Sequence, residues 1–463
     1  VLRERVRKVH FIGIGGIGMS GIARVLIEMG YQITGSDLRE NSNVADLREL
    51  GARVFIGHRA ENVDPSVDVV VYSSAVDHQN PEILKARQIG IPIITRGEML
   101  AELFRLKEGI AVSGSHGKTT TTSMIASILE NAGYDPTVII GGKLQRVGGN
   151  AKLGRGDLLI SEADESDGSF LKLSPIVAVV TNIDREHLDF YGSYEKLVES
   201  FSGFVDSVPF YGFSVVNGDD GGVREAVREI GKKVITCSVE GQGDVFARDL
   251  APEKGRYGFT VFWGGKELGR INLPIGGRHN VYNALLSTAV ALNLGIDFST
   301  IRESLESFRN ADRRMDFKGV VNGMPVFDDY GHHPTEMNCV ISALREMYPS
   351  KRIALVFQPH RYSRTHLLFD DFVKVLNLPD KTYILEIFPA GEENIYGVRA
   401  ADLALKSGAD FIESEECLFE KIDSDLGGGW VLLFMGAGDI AGICERFVNR
   451  SGSLSENLEK KTT

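Results

Sequence analysis

Five short stretches carry residue types that could do chemistry together. Gly114-Ser115-His116-Gly117-Lys118-Thr119 follows the apolar run IAVS and opens the segment TTTTSMIASILENAG, whose second threonine is Thr120. A glycine loop between a strand and a helix turns backbone N–H groups toward phosphate. Its lysine then reaches β/γ oxygens and its threonine hydroxyl can hold Mg²⁺. The spacing is GxxGKT, shorter than the full GxxxxGK[ST], and it predicts a nucleoside-triphosphate site. Gly13-Ile14-Gly15-Gly16-Ile17-Gly18 is a second such loop, with Asp37 ending the next strand. That pattern suits a diphosphate at a helix N-terminus and an acid accepting from a ribose hydroxyl, and leaves NAD, FAD and a sugar nucleotide open. Glu162, Asp164, Glu165 and Asp167 follow DLLI, and His187 follows IVAVV. Carboxylate and neutral imidazole at neighbouring strand ends can complete a magnesium shell beside phosphate and water. Arg361 and Arg364 are spaced to present two guanidinium groups from one loop, suited to carboxylate or phosphate.

The elements that must position these residues read as three sets of strand-turn-helix units. The first, over 1–107, holds HFIGIGGIG, QITGSD, ARVFIG, VDVVVYSSAV and IPIITRGEML. The second, over 108–312, runs from GIAVSGSHGK through TVIIGG, DLLISEADESDGSF and IVAVVTNIDREHLD. It then loosens into partly antiparallel strands before the helix GRHNVYNALLSTAVALNLG, which Gly295 can stop. The third, over 313–463, holds MPVFDDYGHHPTE, RIALVFQPHRYSRT, TYILEIFPAGE and WVLLFMGAGDIAG. Near-continuous apolar strands alternating with helices predict buried parallel sheets, so the expected fold class is α/β in three lobes.

Composition narrows the partners. Lysine plus arginine number 51 against 63 acids, a net charge of −12, which disfavours a broad nucleic-acid or anionic-membrane surface. The four cysteines have no CxxC or CxxH spacing, and no run approaches the roughly 18 apolar residues of a membrane span. The expectation is a soluble cytoplasmic protein with no obligate protein partner.

Taken in order, HFIGIGGIGMSGIA, GSD, YSSAV, GSHGKTTTTSM, EADESDGSF, TNIDREHLD, GRHNVYNALL, DDYGHHPTE and QPHRYSRT resemble the Mur ligases from about His10 to Gly442. Within that family they are most similar to the branch that adds alanine. The resemblance implies a Rossmann-like N-terminal domain, a P-loop ATPase central domain and a Rossmann-like C-terminal domain. It implies an ATP-dependent amide ligase of peptidoglycan synthesis, with UDP-N-acetylmuramate, L-alanine, ATP and Mg²⁺ as ligands. Gly15, Gly16, Ile17 and Asp37 match the family's nucleotide-sugar loop, and Ser73 and Ser74 its second loop. Lys118, Thr119, Glu162 and His187 match the ATP and metal positions, with Glu162 chosen among the three neighbouring acids by family position. Asn280 and Asn283 match the adenine-side motif, Arg314 and Asp329 the ATP side of the third lobe. Tyr330, Arg361 and Arg364 match residues around the amino acid and the transferred phosphate. Ser115 stands where threonine is usual. Several relatives carry a carbamylated lysine on the helix after the metal histidine. Here the stretch around Ser200 to Phe204 holds no lysine, and Lys196 is too near His187 to match, so an enzyme without that modification is expected. A nicotinamide dehydrogenase would leave the GKT loop unused, and a P-loop switch ATPase would leave the first and third lobes unused.

Overall fold

The computed structural model describes residues 6–73, 75–144, 149–253, 256–309 and 313–459. Its first sheet is built from β1 (Lys8–Ile12), β2 (Gln32–Asp37), β3 (Arg53–Ile56), β4 (Val69–Tyr72) and β5 (Ile93–Thr95), in the order β3-β2-β1-β4-β5. Every neighbouring pair is parallel. The chain reverses its direction of travel across the sheet beside β1, and a glycine loop sits at that switch point, where α/β sheets bind ligands. Helix α1 (Ile17–Glu28) starts from that loop, and α2 (Ser42–Glu49) and α3 (Pro81–Gln88) follow. Helix α4 (Arg96–Phe104) begins directly after β5 with a capping box, in which Thr95 and Glu98 satisfy each other's backbone N–H groups. Arg96 is thereby fixed as the first helical residue.

The second sheet has ten strands in the order β15-β14-β13-β12-β11-β10-β6-β9-β7-β8. They are β6 (Glu108–Ser113), β7 (Thr137–Leu144), β8 (Gly149–Lys152), β9 (Leu158–Glu162), β10 (Val177–Val180), β11 (Phe213–Asn217), β12 (Val234–Ser238), β13 (Val245–Glu253), β14 (Arg256–Trp263) and β15 (Lys266–Leu273). At its centre β9, β6 and β10 are adjacent and parallel. Their carboxyl ends therefore bring three loops together: the one after Glu162, the phosphate loop after Ser113, and the one after Val180. Helix α5 (Lys118–Asn131) leaves the phosphate loop. Then come α6 (Leu188–Tyr191), α7 (Tyr194–Asp206), α8 (Gly221–Ala226), α9 (Arg278–Asn293) and α10 (Phe298–Glu306).

The third sheet runs β16-β17-β21-β18-β19-β20, from β16 (Asp316–Val321), β17 (Met324–Asp329), β18 (Arg352–Phe357), β19 (Lys381–Ile384), β20 (Asp410–Phe411) and β21 (Trp430–Met435). Only β16 pairs antiparallel. Helices α11 (Pro334–Met347), α12 (Tyr362–Leu367), α13 (Phe369–Leu376), α14 (Ala400–Ser407), α15 (Glu415–Asp425) and α16 (Ile440–Glu459) complete it. The three-part α/β fold expected from the sequence is thus present.

By compactness the chain forms two units, one of residues 1–250, 259–272 and 280–311, the other of 251–258, 273–279 and 312–463. In the first unit the first two sheets share one hydrophobic core, running from Val9, Phe11 and Met19 through Ile139 and Ala151 to Phe170, Phe201 and Phe204. Helix α1 is pressed onto the β7–β8 hairpin: a Cβ on Gly21 would stand 3.4 Å from that of Ala151. Asn150 Nδ2 also donates to Ile17 O (2.5 Å) and Ser20 Oγ (2.8 Å). The sequence periodicity separates these two lobes, but their mutual burial joins them. Among the described residues no helix is long and apolar enough to cross a membrane.

Candidate active site

The phosphate loop is held by the loop after β10. Ser115 N–H donates to Asn182 O (3.0 Å) and His116 N–H to Asn182 Oδ1 (2.9 Å). Thr181 Oγ1 and Asn182 Nδ2 donate to His116 O, and the Asp184 amide donates to Ser115 Oγ. The Ser115 hydroxyl thus takes part in holding the loop. Gly117 has φ +83°, and a Cβ there would lie 2.7 Å from Asn283 Oδ1. Only glycine fits both the turn and the neighbour. Asn283 in turn accepts from Thr121 Oγ1 (3.2 Å), which ties α9 to the first turn of α5, and donates to Asn280 Oδ1 (3.2 Å). Thr119 and Thr120 are buried in the first turn of α5.

Lys118 Nζ donates to Gly114 O, to Ser115 O (3.2 Å) and to Glu165 Oε1 (2.9 Å). Burial opposes the Lys118 ammonium, but Glu165 outweighs it, aided by Asp164 and Glu186, and holds the amine's pKa above its ordinary value. Burial raises the Glu165 carboxyl to about 7 against the pull of Lys118. Tyr191 Oη donates to Glu165 O and fixes that loop.

His187 has φ +57°, a left-handed backbone unusual outside glycine, and opens α6. Its Nε2 lies 3.8 Å from Glu165 Oε1 and 3.8 Å from Glu186 Oε2. Ligand atoms of these three residues lie within 4.8 Å of one another, and the buried Glu165 Oε2 has no hydrogen-bond partner. Two carboxylates, an imidazole and an orphaned carboxylate oxygen suit Mg²⁺, which prefers oxygen ligands and keeps much of its water. Glu162 is not in that cluster. It lines a cleft of about 350 Å³ together with Lys118, Asp164, Arg96, Ser73 and Gly16 to Gly18. Lys196, on α7, is exposed.

The same cleft receives the first glycine loop. Gly13 and Ile14 N–H groups donate to Ser36 O, and Gly15 N–H donates to Asp37 Oδ2 (2.8 Å). A Cβ on Gly15 would meet Asn41, Asp37 and Val44 within 3 Å. Asp37 therefore braces the glycine turn. Ser73 N–H donates to Ile12 O at the end of β4; Ser74 lies outside the described residues.

In the second unit Asp329 ends β17, buried, accepting from Gly331 N–H (2.7 Å) and Met315 N–H (2.8 Å). Burial lifts its carboxyl to about 6 despite nearby Arg314. The Arg313 and Arg314 guanidinium groups lie 5.1 and 5.5 Å from the Tyr330 ring centroid. His332 stands edge-on to Tyr330 and 5.9 Å from His360, to which Arg364 Nη1 donates (3.3 Å). Burial and then Arg364 push His360 down to about 4, while burial takes His332 to about 3. Both imidazoles are neutral at pH 7. Arg361 caps α12 with φ +72°, its N–H donating to Phe388 O (2.8 Å). Tyr330 and Arg364 are thus linked through His332 and His360, and Arg361 lies three residues before Arg364 at the start of α12. The linking imidazoles His332 and His360 were readable only as members of the motifs DDYGHHPTE and QPHRYSRT.

Three family models match: the Mur ligase catalytic domain over residues 8–108, the Mur ligase middle domain over 112–291, and the Mur ligase glutamate ligase domain over 313–438. The chain belongs to the Mur ligase family. Among its relatives it is 59% identical over 460 residues to UDP-N-acetylmuramate–L-alanine ligase of Aquifex aeolicus, covering 99% of this chain and 100% of that one. The enzyme of the same description from Hydrogenobaculum is 53% identical, over 95% of this chain and 98% of its own. The crystal structure of UDP-N-acetylmuramate-alanine ligase from Thermotoga maritima matches with a TM-score of 0.82 at 32% identity, covering 96% and 99% of the two chains.

Proposed function

We infer that this chain is an ATP-dependent ligase that joins L-alanine to the lactyl carboxylate of UDP-N-acetylmuramate, a step of peptidoglycan precursor synthesis. Its full-length relatives at 59% and 53% identity carry that description. The observation that carries the reading physically is the shared cleft, into which both the sugar-nucleotide loop at Gly16 to Gly18 and the phosphate-loop Lys118 open. A carboxylate is a poor electrophile, so it first attacks the γ-phosphate and becomes an acyl phosphate. Lys118, the first residue of α5, neutralises the equatorial oxygens in that transfer. Asn280 and Asn283 support the loop from behind, with Thr120 in the turn that follows. Glu165, Glu186, His187, Thr119 and the cleft-facing Glu162 are the residues that would hold Mg²⁺, which when bound neutralises phosphate charge. The amine of alanine then attacks the acyl carbon, and the tetrahedral species collapses to amide and phosphate. Arg361, Arg364 and Tyr330 suit the amino-acid carboxylate and the departing phosphate, and Arg314 and Asp329 the ATP side.

Phosphate release measured with UDP-N-acetylmuramate and each of alanine, glycine, serine and D-glutamate tests the reading. Release dependent on both ATP and alanine, and weak with D-glutamate, is expected; preference for another amino acid overturns it. A second expectation concerns His187. In His187→Ala the magnesium concentration needed for half-maximal turnover rises at least about tenfold, the usual cost of losing one ligand or its support. UDP-N-acetylmuramate binding stays unchanged. An unaltered magnesium dependence removes His187 from the metal shell.

A further inference from the structure

Arg96 is a cation that the mechanism above does not use. It is the first residue of α4, locked there by the Thr95–Glu98 capping box, so its backbone position is fixed. Its guanidinium crosses from the first lobe to the second. A Cβ on Gly18 would meet Arg96 Nη1 at 3.0 Å, so the group rests against the end of the glycine loop. At its other side Nη2 donates to Asp164 Oδ2 at 2.7 Å. Both partners remain open to the cleft, with side chains 20% and 38% exposed. The cleft they share also holds Lys118 and Glu162. Lys118 is paired with Glu165, the residue after Asp164. Two consecutive acids thus hold the two cations that line the path from the diphosphate loop to the phosphate loop.

A substrate anchored by its diphosphate at Gly15 to Ile17 must carry its reacting carboxylate along that path to Lys118. On the way it passes a guanidinium whose present partner is itself a carboxylate. An ion pair that opens onto a cleft can exchange one carboxylate for another, and a guanidinium offers a fixed two-pronged geometry to whichever carboxylate displaces the first. Resting on the proposed activity, we propose that Arg96 is the substrate-binding residue that takes over the lactyl carboxylate of UDP-N-acetylmuramate from Asp164 and aims it at the γ-phosphate.

The test compares binding of UDP-N-acetylmuramate with that of UDP-N-acetylglucosamine, the same sugar nucleotide without its lactyl group, by calorimetry on the full chain. In Arg96→Gln the first ligand should lose on the order of tenfold to a hundredfold in affinity, the range for a hydrogen bond to a charged group. The second should change by less than about threefold, which also reports an intact fold. Arg96→Lys, keeping charge without the fork, should fall between Gln and wild type for the first ligand only. Equal losses for both ligands would assign Arg96 to the diphosphate or to the scaffold, and no loss for either would leave it outside the site; each overturns the proposal. Phosphate release by the wild type with UDP-N-acetylmuramate and alanine is scored separately. Its absence refutes the underlying activity, whereas its presence with equal losses refutes only the role of Arg96.

Discussion

Lys118→Ala is expected to lower ligation by at least on the order of 10³-fold while UDP-N-acetylmuramate binding changes by less than about twofold. In phosphoryl transfer nearly all catalysis is positioning and charge stabilisation, so removing the cation nearest the transferred group removes much of the effect. The loop proposed to hold the sugar nucleotide, Gly13 to Ile17, belongs to the other sheet, and Asp37 braces it without Lys118. The variant also uncovers Glu165. Burial already raises that carboxyl to about 7, and Lys118 opposes the rise. Without the ammonium the carboxyl titrates higher still. An acid whose folded pKa lies above its unfolded value contributes stability below the unfolded value and loses it as pH rises through the folded one. The melting temperature of Lys118→Ala should therefore fall more steeply than that of the wild type from pH 6 to 8. Rate assays and calorimetric binding separate the outcomes: equal loss of ligation and sugar-nucleotide binding would mean that both nucleotides depend on one loop.

Much of this was legible in the sequence, and for a physical reason. Glycine loops write their chemistry locally, so Gly114 to Thr119 and Gly13 to Gly18 could be placed from short patterns, whereas Asp329 was placed only by the family resemblance. The helix Arg278–Asn293 and its stop at Gly295 (φ +82°) came from periodicity and one glycine. What stayed hidden depends on contacts far apart in the chain. Arg96 meets Asp164 across 68 residues, and Asn182 supports Ser115 and His116 across a sheet. Nor could the spacing EADESD say which acid turns inward. The fold pairs Glu165 with Lys118 and leaves Glu162 facing the cleft. The common core of the first two lobes was hidden for the same reason, since each lobe reads as a complete α/β unit alone.

Glu82→Ala is expected to destabilise the first unit by about 3–5 kcal/mol, the usual cost of breaking a buried charged network from one side. Glu82, in the first turn of α3, is fully buried and accepts from Ser36 Oγ (2.6 Å), Asn62 Nδ2 (2.6 Å) and the Arg59 N–H (3.1 Å), with His10 Nε2 at 3.1 Å. His58 Nδ1 lies 3.8 Å away and bonds Ser36 Oγ. Truncation leaves these groups without the anion they converge on, in a site that water cannot reach. The consequence extends to the glycine loop, because Ser36 also accepts the Gly13 and Ile14 N–H groups through its carbonyl and is followed directly by Asp37. Sugar-nucleotide affinity should fall with stability. Glu82→Gln, which keeps the shape but turns an NH₂ toward donors, should cost less than alanine but more than a surface change. The pH dependence follows from the same contacts. Burial raises the Glu82 carboxyl, but hydrogen bonds from His10, His58, Ser36 and Asn62 overcome it and hold it well below the ordinary 4.5. A depressed carboxyl contributes stability above its unfolded pKa and loses it as pH falls toward the folded one. The wild type should thus lose stability below about pH 4.5 more steeply than Glu82→Gln, whose side chain cannot titrate. Denaturant unfolding of the full chain at pH 7 and pH 4 measures both; a cost under about 1 kcal/mol for Glu82→Ala would mean that the network contributes nothing net to the fold.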